Sequence, residues 1–261
     1  MALDAHILLA PHFPALLLEA RAGREGAAVR ALHQAGARWR ESGVQVVVAL
    51  SAAWDEVGPF QVDNGARHKS LLDMKGVKVE VRYACDGWVE LANALHENGI
   101  DNGLPVEAVH RGMDHGISVP MSLLFPEGDR RVVPLSTSRR APEDWHLWGE
   151  VVRETCRGAG ARVALLIGGS ISYDPEAYAQ GRDRALGADL DRAVLGRLEA
   201  GDWAGLHALP TDLLAAARPQ CGLRHLWFIE GVLGGKGAGR ILAHERLPSI
   251  GSAVVEFSLP D

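Results

Sequence analysis

With 261 residues, 47% of them apolar and 23% charged, the chain is long enough to bury the core of one large domain. A net charge of −6 supplies no basic face for nucleic acid. The apolar runs Ile7–Ala10 and Val163–Ile167 fall far short of the roughly 20 residues of a membrane helix. The N-terminus has no basic segment ahead of an apolar stretch, so no secretory leader is expected. Cys85, Cys156 and Cys221 are scattered without a CxxC pair, which points to reduced thiols in a cytoplasmic protein.

Ala5–Ala10 reads as a first strand, closed by Pro11-His12-Phe13-Pro14. Arg24–Arg40 has helical spacing, with Ala27, Val29, Leu32 and Ala35 on one face, and Gly43 stops it. Val46–Leu50 is a buried strand that breaks at Ser51-Ala52-Ala53-Trp54. This β-loop-α-β opening is the start of a parallel sheet. Phe60–Val81 reads as a hairpin-like excursion, with Val77, Val79 and Val81 alternating. Trp88–Asn98 is a helix, Ser118–Leu124 starts another, and Arg131–Leu135 is a strand. Glu143–Cys156 is a helix ended by Gly158, and Ala161–Ile167 is a strand. A long charged helix is predicted over Arg182–Ala200, with shorter ones at Thr211–Ala217 and Cys221–Leu233. Gly239–His244 and Ser252–Leu259 close the chain as strands. No repeat or linker interrupts it, so residues 1–261 form one αβα domain with a mostly parallel central sheet.

Ligand sites in such sheets form outside strand ends. His12 follows the first strand, and Arg111-Gly112-Met113-Asp114-His115-Gly116 and Gly169-Ser170-Ile171-Ser172-Tyr173 follow later elements. Taken alone, each histidine or Asp-His pair is an ordinary loop residue. Taken as a set, these segments resemble the class III extradiol ring-cleavage dioxygenases of LigB type. The stretch Arg111 to Pro120 is similar to that family's Arg-Gly-x-Asp-His-Gly-x-x-Val-Pro. Gly58–Asp63, Glu80–Tyr83 and Cys221-Gly222-Leu223-Arg224 also resemble it, so the likeness covers nearly the whole chain.

The resemblance implies a LigB-like fold and a pocket for an aromatic small molecule. It places His12 at the first iron-ligand position and Asp114, His115 and Tyr173 beside the substrate with it. His115 and Tyr173 are then the candidate catalytic residues, Tyr173 standing where the family has its basic histidine. Family members hold Fe(II) on two histidines and one carboxylate, which leaves open positions for O2 and a catecholate. Here the second histidine position is Ala53 and the carboxylate position is Gln220. Alanine has no lone pair to give, and glutamine is a neutral donor. No bound cofactor is therefore expected.

Among residues able to rebuild a metal site, His68, His110, His225 and Glu245 match no family ligand position, and His225 is expected to fall beyond a helical turn from Gln220. His33 and His96 read as surface residues. The resemblance implies a non-catalytic, iron-free subunit that partners a homologous iron-bearing chain, as in aminophenol cleavage. An active dioxygenase with an atypical site, and an aromatic-binding protein, are the alternatives. Trp145 and Trp148 have the i,i+3 spacing of packing residues. With Trp88 and Trp203 they also fall on segments expected near the surface, which favours a homo- or hetero-oligomer.

Overall fold

The computed structural model describes residues 6–71, 80–183 and 185–259. In chain order these form β1 (Ile7–Ala10), α1 (Ala15–Arg21), α2 (Ala27–Glu41), β2 (Val46–Glu56), β3 (Phe60–Asp63), β4 (Arg67–Lys69) and β5 (Ala84–Asp86). Then come α3 (Val89–Asp101), β6 (Val106–Val109), α4 (His115–Leu124), β7 (Arg131–Ser138), α5 (Pro142–Gly158) and β8 (Val163–Gly168). The last part holds α6 (Pro175–Ala179), α7 (Gly187–Ala200), α8 (Trp203–His207), α9 (Thr211–Ala217), a 3-10 turn (Gln220–Leu223), α10 (Arg224–Leu233), β9 (Gly239–Leu247) and β10 (Ile250–Phe257).

Eight strands make one sheet in the order β6-β3-β7-β2-β8-β1-β10-β9. The central strands β7, β2, β8 and β1 are mutually parallel, and the antiparallel pairings lie towards the two edges. Successive side chains of a strand point to opposite faces, and β2 shows the consequence. Val46, Val48 and Leu50 enter a core with Trp145, Trp148 and Phe228, while Val47 and Ala49 enter a second core with Leu32, Trp39 and Ile117. A strand buried on both faces reads as a continuous apolar run, which is how Val46–Leu50 appears in the sequence.

β2 is longer than the sequence implies. It continues through Ser51–Trp54 to Glu56, with a bulge against β7 between Ser51 and Asp55. The bulge keeps the strand paired while re-aiming its side chains at the sheet edge. The helix predicted from Arg182 begins instead at Gly187, because Leu186 adopts a left-handed conformation (φ 61°) that a helix cannot pass through. The excursion expected over Phe60–Val81 is organised differently: Phe60–Asp63 is a strand of the main sheet, and β4 pairs antiparallel with β5, which lies beyond the expected range, while Val77 and Val79 lie outside the described residues.

Three of the tryptophans placed near the surface are core residues. Trp145 and Trp148 are fully buried around Phe60, with ring centroids 5.0 and 5.5 Å away, and Trp203 is buried with its indole N–H on the Gly237 carbonyl (3.0 Å). They fill the space between the helical layer and the sheet, so they give no argument for a protein interface.

Register places Ala10, Gly168, Ser51 and Ser136 in one row at the carboxyl ends of β1, β8, β2 and β7. Helix α4 crosses this row so closely that a Cβ on Gly168 would sit 1.7 Å from the Gly116 carbonyl oxygen. Gly168→Ala is therefore expected to cost about 3 kcal/mol, because backbone meets backbone and cannot yield. Gly196 lies in α7 with nothing within 4 Å of its would-be Cβ. There Gly196→Ala should stabilise the protein by about 0.5–1 kcal/mol. Urea unfolding of the two variants checks both signs.

Candidate functional site

Four connecting segments and the far half of β2 supply the polar groups beyond this row. Ser51 Oγ donates to Asp114 Oδ1 at 2.7 Å, and the backbone N–H of Ala53 donates to Ser51 Oγ at 3.2 Å. Asp114 also accepts from the Gly116 N–H (2.9 Å) and pairs with Arg111 (3.2 Å), so its carboxylate caps α4 and is spent within the protein. The Arg111 guanidinium lies 4.5 Å over the ring of Trp54. Asp63 fixes the start of the same loop, accepting from the N–H groups of Arg111 (2.9 Å) and Gly112 (2.6 Å). Burial opposes ionisation of Asp63, but the bonds from His68, Gly112, Gly65 and Arg111 outweigh it and hold its carboxyl below the usual range.

The capped helix presents His115 as its first residue. Its ring lies 4.9 Å from that of His12, which in turn lies 5.1 Å from Tyr173 (centroid to centroid). The Tyr173 hydroxyl is 3.4 Å from His115 Nε2. His12 is fully buried, while His115 and Tyr173 are half-buried. Tyr173 is positioned from behind. The neighbouring Ser172 gives its N–H (3.0 Å) and its Oγ–H (3.1 Å) to the buried Asp191 of α7, which Arg246 neutralises at 2.5 Å.

Gln220 completes the group. Its Oε1 accepts from the Ser170 N–H (2.6 Å) and from His12 Nε2–H (2.9 Å). A backbone N–H can only donate, so the amide orientation is fixed, and with it the His12 tautomer. The His12 Nδ1 atom has no hydrogen-bond partner among the described residues. Burial, then the nearby His115, lower the His12 pKa to about 3, against a raising effect of the Gln220 bond.

The segment carrying Gln220 is strained. Arg218, Cys221 and Leu223 all have positive φ (50°, 39° and 63°) although none is glycine. Such residues cost about 1–3 kcal/mol each and persist where the surroundings over-determine them. The kink at Cys221-Gly222 also redirects the chain before α10 begins.

His225, five residues beyond Gln220, is turned inward. It is fully buried, and a Cβ on Gly169 would lie 2.9 Å from its ring and 3.3 Å from Ala52 Cβ. Its Nδ1 is 3.2 Å from Cys221 Sγ, and its Nε2 has no partner among the described residues. Burial and Arg224 lower its pKa to about 3, and it opposes protonation of His12. No spacing rule in the sequence announces this, because a helix continuous from Cys221 would carry His225 elsewhere.

The remaining candidates stand apart. His68 is buried beside Asp63 (3.5 Å), and the Glu245 carboxylate caps α2 through the N–H groups of Ala27 (2.6 Å) and Ala28 (3.1 Å). His110 and His33 are exposed, and His96 is half-buried on α3.

A large mostly parallel sheet flanked by helices, with a polar cluster beyond the strand ends, defines a single α/β domain with a candidate site at that end of the sheet. The family model described as the catalytic LigB subunit of aromatic ring-opening dioxygenase matches residues 6–255. The chain therefore belongs to the LigB family. Among solved structures it is similar to JW3007, an uncharacterized protein of Escherichia coli K12, with a TM-score of 0.72 at 16% identity, over 97% of this chain and 99% of that one. That likeness shows the fold. No curated protein matches. Among the described residues no helix is long and apolar enough to cross a membrane.

The residues present do not fit the family's Fe(II). The Gln220 oxygen is taken by two N–H donors, His12 Nε2 is one of those donors, and Ala53 offers no ligand atom.

His12 and His225 are buried in neutral form, and both take up protons near pH 6.5 once unfolded. Between about pH 6.5 and pH 3 the unfolded chain binds more protons than the folded one, so stability rises with pH across this window. The slope is about 1.4 kcal/mol per pH unit for each group. Urea unfolding from pH 7 to pH 4 should show stability falling on acidification, and less steeply in His12→Gln.

Proposed function

We propose that this chain is an iron-free member of the LigB family that retains part of the aromatic pocket as a binding site. The observation that carries the reading is the Gln220 amide, whose only oxygen accepts from His12 and from Ser170. A neutral amide stands where the family's metal needs an anion, and burying a dication without that charge is costly. The partly exposed pair His115 and Tyr173 gives a flat, hydrogen-bonding rim suited to a phenolic ring. A protein of this kind acts by binding an aromatic small molecule, or by standing beside a homologous iron-bearing subunit.

Restoring the ligands tests the reading. After anaerobic Fe(II) loading, elemental analysis should find no His12-dependent iron in the wild type. Ala53→His with Gln220→Glu should take up about one iron per chain, since a facial triad needs two histidines and a carboxylate. Adding Tyr173→His should then bring weak catechol cleavage. Wild-type protein that holds one iron per chain and loses it in His12→Ala would make the chain an active dioxygenase with an atypical site.

A further inference from the structure

A second cluster of ligand-type residues lies on the outer helices and shares no residue with the pocket. His146 is in the second turn of α5, His207 ends α8, and Glu230 is on α10. Their ligand atoms all lie within 4.8 Å of one another, the one such grouping among the described residues. Both imidazoles aim Nε2 at the same carboxylate oxygen. Glu230 Oε2 is 2.8 Å from His146 Nε2 and 2.6 Å from His207 Nε2.

We propose that His146, His207 and Glu230 bind a divalent transition-metal ion of zinc type. Two imidazoles and one carboxylate are a donor set that zinc accepts, with a fourth position left for water. Bonds of about 2.0–2.2 Å to zinc separate tetrahedral ligands by roughly 3.4 Å. The present contacts need to open by less than about 1 Å to admit the ion. Each imidazole needs only to carry its proton on Nδ1 instead of Nε2, and Glu230 keeps its charge.

The three positions are held without the metal. A Cβ on Gly231 would lie 2.2 Å from the His146 carbonyl oxygen, so α5 and α10 touch backbone to backbone. Helix α8 is pinned by Trp203 Nε1–H on the Gly237 carbonyl (3.0 Å) and Arg197 Nε–H on the Gly205 carbonyl (2.8 Å). The His207 ring packs at 5.9 Å from that of Trp227 and 5.6 Å from that of His146. Glu230 is largely buried, whereas His146 and His207 keep side-chain exposures of 37% and 31%, which leaves an entry path and room for a water ligand. An ion there would clip the short α8 to the α5–α10 pair.

Zinc titration of the full chain against a chromophoric chelator tests this. Wild type should bind one equivalent, and zinc should raise its melting temperature, since a ligand specific for the folded state stabilises it. His207→Ala and Glu230→Gln should each weaken binding by at least ~10-fold, because even groups behind metal ligands are worth 10–100-fold. His207→Ala removes an exposed side chain, and Glu230→Gln keeps shape and hydrogen bonding, so circular dichroism should show both folded. His12→Ala should bind zinc as wild type does. X-ray absorption should show two imidazole nitrogens on the metal. Absence of wild-type binding, equal binding by both cluster variants, or loss only in His12→Ala would each overturn the proposal. The last result would locate the metal in the pocket, and so would also contradict the iron-free reading.

Discussion

The Asp114 carboxylate is the interaction on which the site depends. It is buried, and a buried charge is stable only when paired and hydrogen-bonded. Its partners come from three places: Ser51 in the middle of β2, Gly116 at the first turn of α4, and Arg111 in the preceding loop. Satisfying one group therefore ties the helix to β2 at Ser51 and fixes where the helix begins and which residue starts it. His115 is aimed by that requirement. The contact between Gly116 and Gly168 follows from the same docking, because capping brings α4 down onto the sheet edge.

Around the candidate site the polar groups are held by a network of ion pairs and buried hydrogen bonds. Arg224 grips Asp55 through two bonds of 2.9 and 3.1 Å, and Asp191 holds Ser172. The Gln220 oxygen organises His12 and Ser170 by hydrogen bonding instead of charge. His12 and His225 remain as buried neutral imidazoles, each with one nitrogen unpartnered among the described residues.

The tryptophans and His225 show where reading along the chain loses information. Helical spacing places Trp145 and Trp148 on one face, yet periodicity cannot say whether that face meets solvent, a partner or the sheet. Their packing on Phe60, edge-on for Trp145 and stacked for Trp148, decides it. For His225 the sequence predicts one helix from Cys221, and three consecutive left-handed residues redirect it. Propensity disfavours that conformation for Cys221 and Leu223. It is imposed by packing around the segment, which no local pattern encodes.

The sequence by itself determined the family, the mostly parallel α/β class, and the main strands and helices such as β1, β2, α2, α5 and β8. These follow from local residue identity and from apolar patterns that repeat within an element. Only the tertiary structure decided that Asp114 is a helix cap, that Gln220 fixes the His12 tautomer, and that His225 enters the pocket. It alone joined His146, His207 and Glu230, which lie 23 to 84 residues apart in the chain. Such groupings arise when helices pack on a sheet, and the distances they set are properties of the folded chain that spacing along the sequence does not carry.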